Sequence, residues 1–300
     1  MRGAFEITVM ISSVVKASFF LLLLLPQTSF DVENRAWREK RNNELRAEDG
    51  WLSVAGLFWL KPGSNSFGSG KGMSIVLSSA PENVGTLELA NGVVTLRVAD
   101  GVTVNAGTEA VRTHEMRFDG EKQPAPFVVG SLKLSVIKRG ERYGLRVKDK
   151  NNPALLAFKG LEWFPASESY RVVATLIPDA QPKEMIIMNV LGDELKMKSP
   201  GVLSFQLNGR THQLRPVMEN EEKLFIIFRD QTAGKTSYGA GRFLYADLPK
   251  DGKVILDFNR AENPPCAFTP YATCPLPPRA NFLSIPIPAG ERAFHLKTKS

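Results

Sequence analysis

Cysteine is nearly absent from this sequence, with two in 300 residues. That excludes a disulfide-dense scaffold and a four-cysteine zinc site. Histidine is almost as scarce. His114, His212 and His295 stand far apart with no ligand spacing, so no metal centre is expected. Beyond residue 30 no apolar run approaches the ~20 residues of a spanning helix, which excludes a multi-span membrane protein. Long basic runs are missing too. The formal net charge is +7, yet Lys and Arg alternate with Asp and Glu along the chain. A solvated surface is expected from this rather than a nucleic-acid groove. No serine sits in a G-x-S-x-G elbow.

What remains is an ordinary globular composition, 43% hydrophobic and 23% charged. Residues 1–29 read as an export signal. Arg2 and Lys16 precede the apolar run Ala17 to Leu25, Pro26 breaks it, and Gln27-Thr28-Ser29 offers residues for cleavage. Nine helical residues rise only about 13–14 Å, too short for a ~30 Å hydrocarbon core. The alternative is an N-terminal anchor from Ile7 to Leu25. It places Lys16 in the span at roughly 3 kcal/mol. The expected location is therefore periplasmic or extracellular, with no stable span once the signal is removed.

Asp31 to Glu48 contains no Gly or Pro and reads as one helix, capped by Asp31 or Asn34 and ended by Gly50. After it the pattern is β. Leu132, Leu134 and Val136 alternate with polar residues, as do Leu145 and Val147 around Arg146 and Lys148. Asn91-Gly92, Asp100-Gly101, Asp119-Gly120, Asn208-Gly209 and Asp251-Gly252 supply turn dipeptides. Phe225 to Phe228 is apolar on both faces and reads as a central strand. The expected fold is mainly β: antiparallel, sandwich- or barrel-like sheets with one N-terminal helix. Two β subdomains are expected, 30–150 and 151–300, with about eight strands each. Residues 264–288 hold eight of the twenty prolines, so they form a rigid, irregular loop rather than a central strand.

Chemistry concentrates near that loop. Cys266 and Cys274 lie inside it. In an exported chain a disulfide is the natural reading, worth about 2–3 kcal/mol for so short a loop. Two free thiols are the alternative, and the spacing is not that of a C-x-x-C redox pair. Asp230, Thr232, Tyr238, Arg242, Asp257, Asn259, Arg260, Glu262, Asn263 and Glu291 form the densest polar set. Ala233-Gly234-Lys235-Thr236 looks like the end of a phosphate-binding loop. Arg229 occupies the required upstream glycine, however, and Gly239 and Gly241 interrupt any following helix. No nucleotide or other cofactor is expected.

Three readings of the polar set stay open. It binds a small polar ligand, glycan or peptide through Asp230, Arg242, Asn259 and Asn263. Or it is a hydrolase site, with Asp257 or Glu291 as base, Tyr238 as donor and Arg242 as anion clamp. Or Asp and Asn tie down irregular backbone while Arg pairs with a carboxylate, a purely structural role.

Several of these segments resemble a largely bacterial family of unknown function, DUF1684. They are Gly50-Trp51-Leu52 through Leu60, Gly160 to Pro165, Tyr238 to Leu244, and above all Asp257 to Phe268 continuing to Pro278, with Ala289-Gly290-Glu291 closing the set. The likeness runs from about 33 to 293. Glu262 stands where an aromatic residue is expected in relatives. The resemblance implies a family and no activity. More loosely, Phe67 to Val147 resembles a forkhead-associated β-sandwich. The histidine of that family's phosphothreonine loop is missing after Ser79, so only the sandwich shape is carried over.

Overall fold

A computed structural model describes residues 28–119, 126–218 and 222–294. The export-signal reading falls on residues outside these, except for Thr28 and Ser29. Helix α1 spans Ser29–Arg46 and starts earlier than expected. Thr28 is the N-cap rather than Asp31 or Asn34. Its hydroxyl accepts from the Asp31 N–H at 3.2 Å while Asp31 reaches back to the Thr28 N–H, a reciprocal capping box. Phe30, Asn34, Arg41 and Leu45 form its buried face. Among the described residues no helix is long and apolar enough to cross a membrane.

The fold is mainly β, as the alternation predicts, and the sheets are open rather than closed into a barrel. Among the described residues eleven strands build the first sandwich. One sheet runs in the order β1 (Val54–Trp59), β11 (Arg142–Asp149), β10 (Leu132–Arg139), β9 (Phe127–Val129), β6 (Asn105–Ala106), β7 (Glu109–Ala110). The other runs β3 (Ile75–Val76), β2 (Gly63–Gly68), β4 (Gly85–Ala90), β5 (Val93–Val98), β8 (Thr113–Met116). Their inner faces meet around Phe67, Leu87, Leu96, Phe127, Leu134 and Leu145. Burying such side chains contributes about 1.5–3 kcal/mol each.

The second half has fewer and longer strands. One sheet is ordered β14 (Arg210–Leu214), β13 (Glu194–Leu207), β12 (Arg171–Met188), β18 (Lys253–Asp257). A three-stranded sheet, β15 (Val217–Met218), β16 (Lys223–Phe228), β17 (Arg242–Asp247), places Phe225 to Phe228 at its centre. The two sheets share a core that includes Leu203, Phe205, Leu224, Phe228, Leu256 and Phe258. Asn91, Asn208 and Asp251 adopt φ of 51–52° and the glycine after each is also positive, so these three dipeptides are tight hairpin turns. Asp100-Gly101 instead lies in a longer connection, and Gly120 is outside the described residues.

β12 runs through Pro178, which a turn-based reading breaks. The ladder slips between Pro178 and Lys183, and this irregularity absorbs the missing donors. The β12–β13 turn carries none of the expected dipeptides. Asn189 builds it instead. Its side-chain oxygen accepts from Leu191 N–H and Asp193 N–H, both at 2.9 Å, and its amide donates to Asp193 at 3.0 Å. Asn189→Ala is expected to lower stability by about 1–2 kcal/mol, read as a shifted urea midpoint at constant slope.

Residues 264–288 contain no ladder strand. They hold two single 3-10 turns, Pro265–Ala267 and Arg279–Asn281, and lie between the two halves. Thr269 Oγ1 donates to the Val54 carbonyl at 3.1 Å, and Arg139 Nε donates to Thr273 Oγ1 at 2.9 Å. Asn281, fully buried, accepts from Arg215 N–H at 2.7 Å and donates to the Arg215 and Ile227 carbonyls.

Candidate functional site

The structure gathers the predicted polar residues into three groups, two of them around the segment 285–292. Pro286 and Pro288 leave that segment short of amide donors. Side chains hold it in place of a ladder. Arg242, at the start of β17, donates to the Ile287 carbonyl at 2.8 Å and to the Ala289 carbonyl. Asp230 lies 3.4 Å from Arg242 and accepts from the Ile287 N–H at 2.5 Å. The Thr232 hydroxyl donates to Asp230 at 2.8 Å and meets Ser237 at 2.7 Å. Arg242 is 1% exposed. Burial pulls its guanidinium below the usual value, and Asp230 offsets this.

Glu291 is 0% exposed and anchors the second group. Its carboxylate accepts from Arg41 Nε at 2.8 Å and from the Asn263 N–H at 2.7 Å. Arg41 also donates to the Asn263 carbonyl at 3.1 Å and lies 3.5 Å from Glu262. Burial pushes the Glu291 carboxyl upward. Burial acts the other way on Arg41, but Glu291 and Glu262 more than reverse it and hold Arg41 above its ordinary value. The Asn263 amide donates to the Arg292 carbonyl at 2.8 Å. Gly290 has φ of 79°, and a Cβ there would strike the Ala261 carbonyl, so this turn requires glycine.

Asp257 and Asn259 form the third group. Asp257 caps the short turn after β18, accepting from Asn259 N–H at 3.1 Å and its amide at 2.9 Å. Asn259 in turn pairs with both backbone groups of Ser167 at 2.9 Å. Arg260 Nε lies 3.5 Å from the free Asp257 oxygen.

These placements correct the expectation of one accessible pocket. Asp230, Arg242, Asn259, Asn263 and Glu291 are at most 5% exposed and Asp257 is 8% exposed, each facing internal partners. The Asp230 and Glu291 carboxylates, spent on buried guanidinium and backbone N–H groups, have no free face for a substrate. Tyr238, Arg260 and Glu262 are partly exposed, and the Tyr238 hydroxyl donates to the Cys266 carbonyl at 3.1 Å. The expected disulfide is also corrected. Cys266 and Cys274 are free thiols, and the Cys266 N–H donates to Cys274 Sγ at 3.1 Å. Loop closure brings them together without joining them.

The structure also shows an open cavity that the motif search missed. Its volume is about 390 Å³, and Val128, Gly130, Ser131, Lys133, Lys148 and Lys150 line it opposite Glu48 and Asp49. Lys133 Nζ lies 3.3 Å from the Asp49 carboxylate, and Lys148 donates to the Asp49 carbonyl. Burial lowers the Lys148 ammonium below its ordinary value, with Lys133 and Arg146 adding repulsion. The alternation around Leu134 and Val147 put these lysines on one wet face. What it could not show is that the turn after α1, at Glu48 and Asp49, walls that face into a cleft. Among the described residues no cluster of ligating side chains fits a metal ion.

Residues 156–292 match the family described as "Protein of unknown function (DUF1684)". The chain belongs to this family. A solution NMR structure of an uncharacterized protein of Haloarcula marismortui is 34% identical, in a match covering 45% of this chain and 77% of that one, with a TM-score of 0.39. No curated protein matches. The DUF1684 match is narrower than the likeness over 33–293, since it begins beyond the first sandwich. It therefore contains Glu291 and both cysteines but neither Arg41 nor the lysine-lined cavity.

Proposed function

We propose that this DUF1684 protein is exported and binds a small polar, anionic ligand without turning it over. The observation that carries this reading is the open cavity with three lysines on its wall. Three ammonium groups against two carboxylates leave the cleft net positive, and an anion entering it gains from all three. The buried state of Asp257 and Glu291 supports binding over hydrolysis. Export is supported by the apolar run from Ala17 to Leu25 beside Lys16.

Calorimetric titration with inorganic phosphate and with citrate tests the reading. Saturable binding is expected, weakening as salt rises. The Lys133→Ala/Lys148→Ala double variant should bind at least about tenfold more weakly, each lost charge contact contributing on the order of 1 kcal/mol. Equal affinity in the double variant, or no heat with either anion, sinks the assignment. Turnover in a broad hydrolase screen, abolished by Asp257→Ala, favours the enzyme reading instead.

A further inference from the structure

The two cysteines are used by neither the buried network nor the lysine-lined cavity, yet their surroundings are those of reactive sulfur. The Cys266 N–H donates to Cys274 Sγ at 3.1 Å, which sets the two side chains against each other. Cys266 is partly exposed, whereas Cys274 is 4% exposed. Neither sulfur is free to drift. Tyr238 holds the Cys266 carbonyl at 3.1 Å, Val190 N–H donates to the Cys274 carbonyl at 2.9 Å, and Arg139 pins Thr273 at 2.9 Å. Flanking prolines at 264, 265, 270, 275, 277 and 278 stiffen the loop.

A second, independent observation is the Arg146 guanidinium. It projects from β11, is 8% exposed, and has no hydrogen-bond partner at Nε or Nη2. It stacks over Trp51 at 5.3 Å and interacts electrostatically with Cys274. An isolated buried cation is costly, so this site favours a negative charge beside it. The titratable and charged groups facing the pair are Arg146 from β11, Arg139 from β10 with its partner Asp119, and the Tyr238 phenol.

We propose that Cys266 and Cys274 are a reversible dithiol–disulfide couple that reduces small organic disulfides, with Cys266 as the attacking sulfur and Cys274 as the resolving one. The Cys266 thiolate attacks one sulfur of the substrate disulfide. The substrate S–S bond breaks, and one thiolate leaves with the electron pair and takes up a proton. Cys274 then gives up its proton and attacks Cys266 Sγ, which expels the second substrate thiolate. Two protein thiols become one disulfide, and one substrate disulfide becomes two thiols. The division of roles follows exposure, since substrate reaches Cys266 first. It also follows acidity. Hydrogen bonds from Cys274, opposed by burial and aided by Tyr238, bring Cys266 down to about 7. The same contact and burial push Cys274 upward.

The full chain is equilibrated across ratios of reduced to oxidised glutathione, trapped with iodoacetamide and weighed by mass spectrometry. A reversible loss of two hydrogens, with no alkylation at either cysteine, is the expected oxidised form. Cys274→Ser should accumulate a glutathione mixed disulfide at Cys266, while Cys266→Ser should form none. Cys266 alkylation should follow a pH midpoint near 7 and run about tenfold faster at neutral pH than an ordinary thiol. Arg146→Met should push the Cys274 thiol further up and slow its resolution of the glutathione mixed disulfide. A wild-type pair that never loses two hydrogens overturns the proposal, as does a disulfide that glutathione cannot reduce. A Cys274→Ser protein that stays free of adduct does the same. The wild-type titration involves no variant, so a folding defect cannot imitate its outcome. The lysine-lined cavity plays no part in the readout.

Discussion

Arg242→Ala is expected to lower stability by about 3–5 kcal/mol, enough to unfold a marginal domain. Arg242 and Asp230 are each nearly sealed from water, and they lie 3.4 Å apart. Truncating the arginine leaves Asp230 as a buried charge. Thr232 and the Ile287 N–H stay on the carboxylate, so its solvation is only partly lost. The carbonyls of Ile287 and Ala289 lose their donor at the same time, at about 1–3 kcal/mol for each orphaned group. The aromatic rings of Phe228, 5.2 Å from the guanidinium, and Phe164 would border an empty volume. Urea denaturation of Arg242→Ala and of Arg242→Met/Asp230→Asn measures this. The double variant should recover part of the loss because no net charge stays buried. A cost below about 1 kcal/mol for Arg242→Ala refutes the structural role and returns Arg242 to the list of ligand contacts.

The second large effect is expected at Glu291. Glu291→Ala removes the acceptor of Arg41 Nε and of the Asn263 N–H together. Arg41 is then a buried cation left with Glu262 at 3.5 Å and one carbonyl. A loss of about 3–5 kcal/mol follows, and it should fall on the docking of α1 first, because Arg41 is on the helix and Glu291 on the far segment. Arg41→Ala with Glu291→Ala in a double-mutant cycle should show a coupling of about 1–3 kcal/mol. Independent, additive losses would mean that the Arg41–Glu291 pair does not itself hold the helix, leaving docking to contacts such as Phe30, Leu45 and Arg38 on the Phe164 carbonyl.

Local pattern made the fold class legible. Alternation at Leu132 to Val136 and the dipeptides at 91, 208 and 251 announce paired strands and their turns, since both depend on residues adjacent in sequence. β12 was less visible. Its prolines argue against a strand, and only the partner strand's register shows where the ladder slips. The polar set was recognisable as a set because burial groups Asp, Asn and Arg around proline-broken backbone. Its closure was not. Arg41 lies 250 residues from Glu291, and nothing in the spacing of either announces the other. Arg146 is the sharpest case. Alternation with Leu145 and Val147 assigns it to a wet face, but Trp51 and the proline-rich loop cover that face from segments far away in sequence. Proximity of the two cysteines followed from the shortness of their loop, whereas their bonding state does not follow from spacing.

The proline-broken stretch also governs how the molecule meets its neighbours. Beyond β16 the backbone of Arg229 and Gln231 is already engaged by Asn281, Leu283 and Ile285. The outer side of that stretch then presents Pro286 and Pro288, which have no N–H to offer. An extended peptide or a second copy finds no continuous row of donors along this border, so it cannot propagate the sheet from there. The same prolines that cost the chain its ladder make this flank resistant to polymerisation.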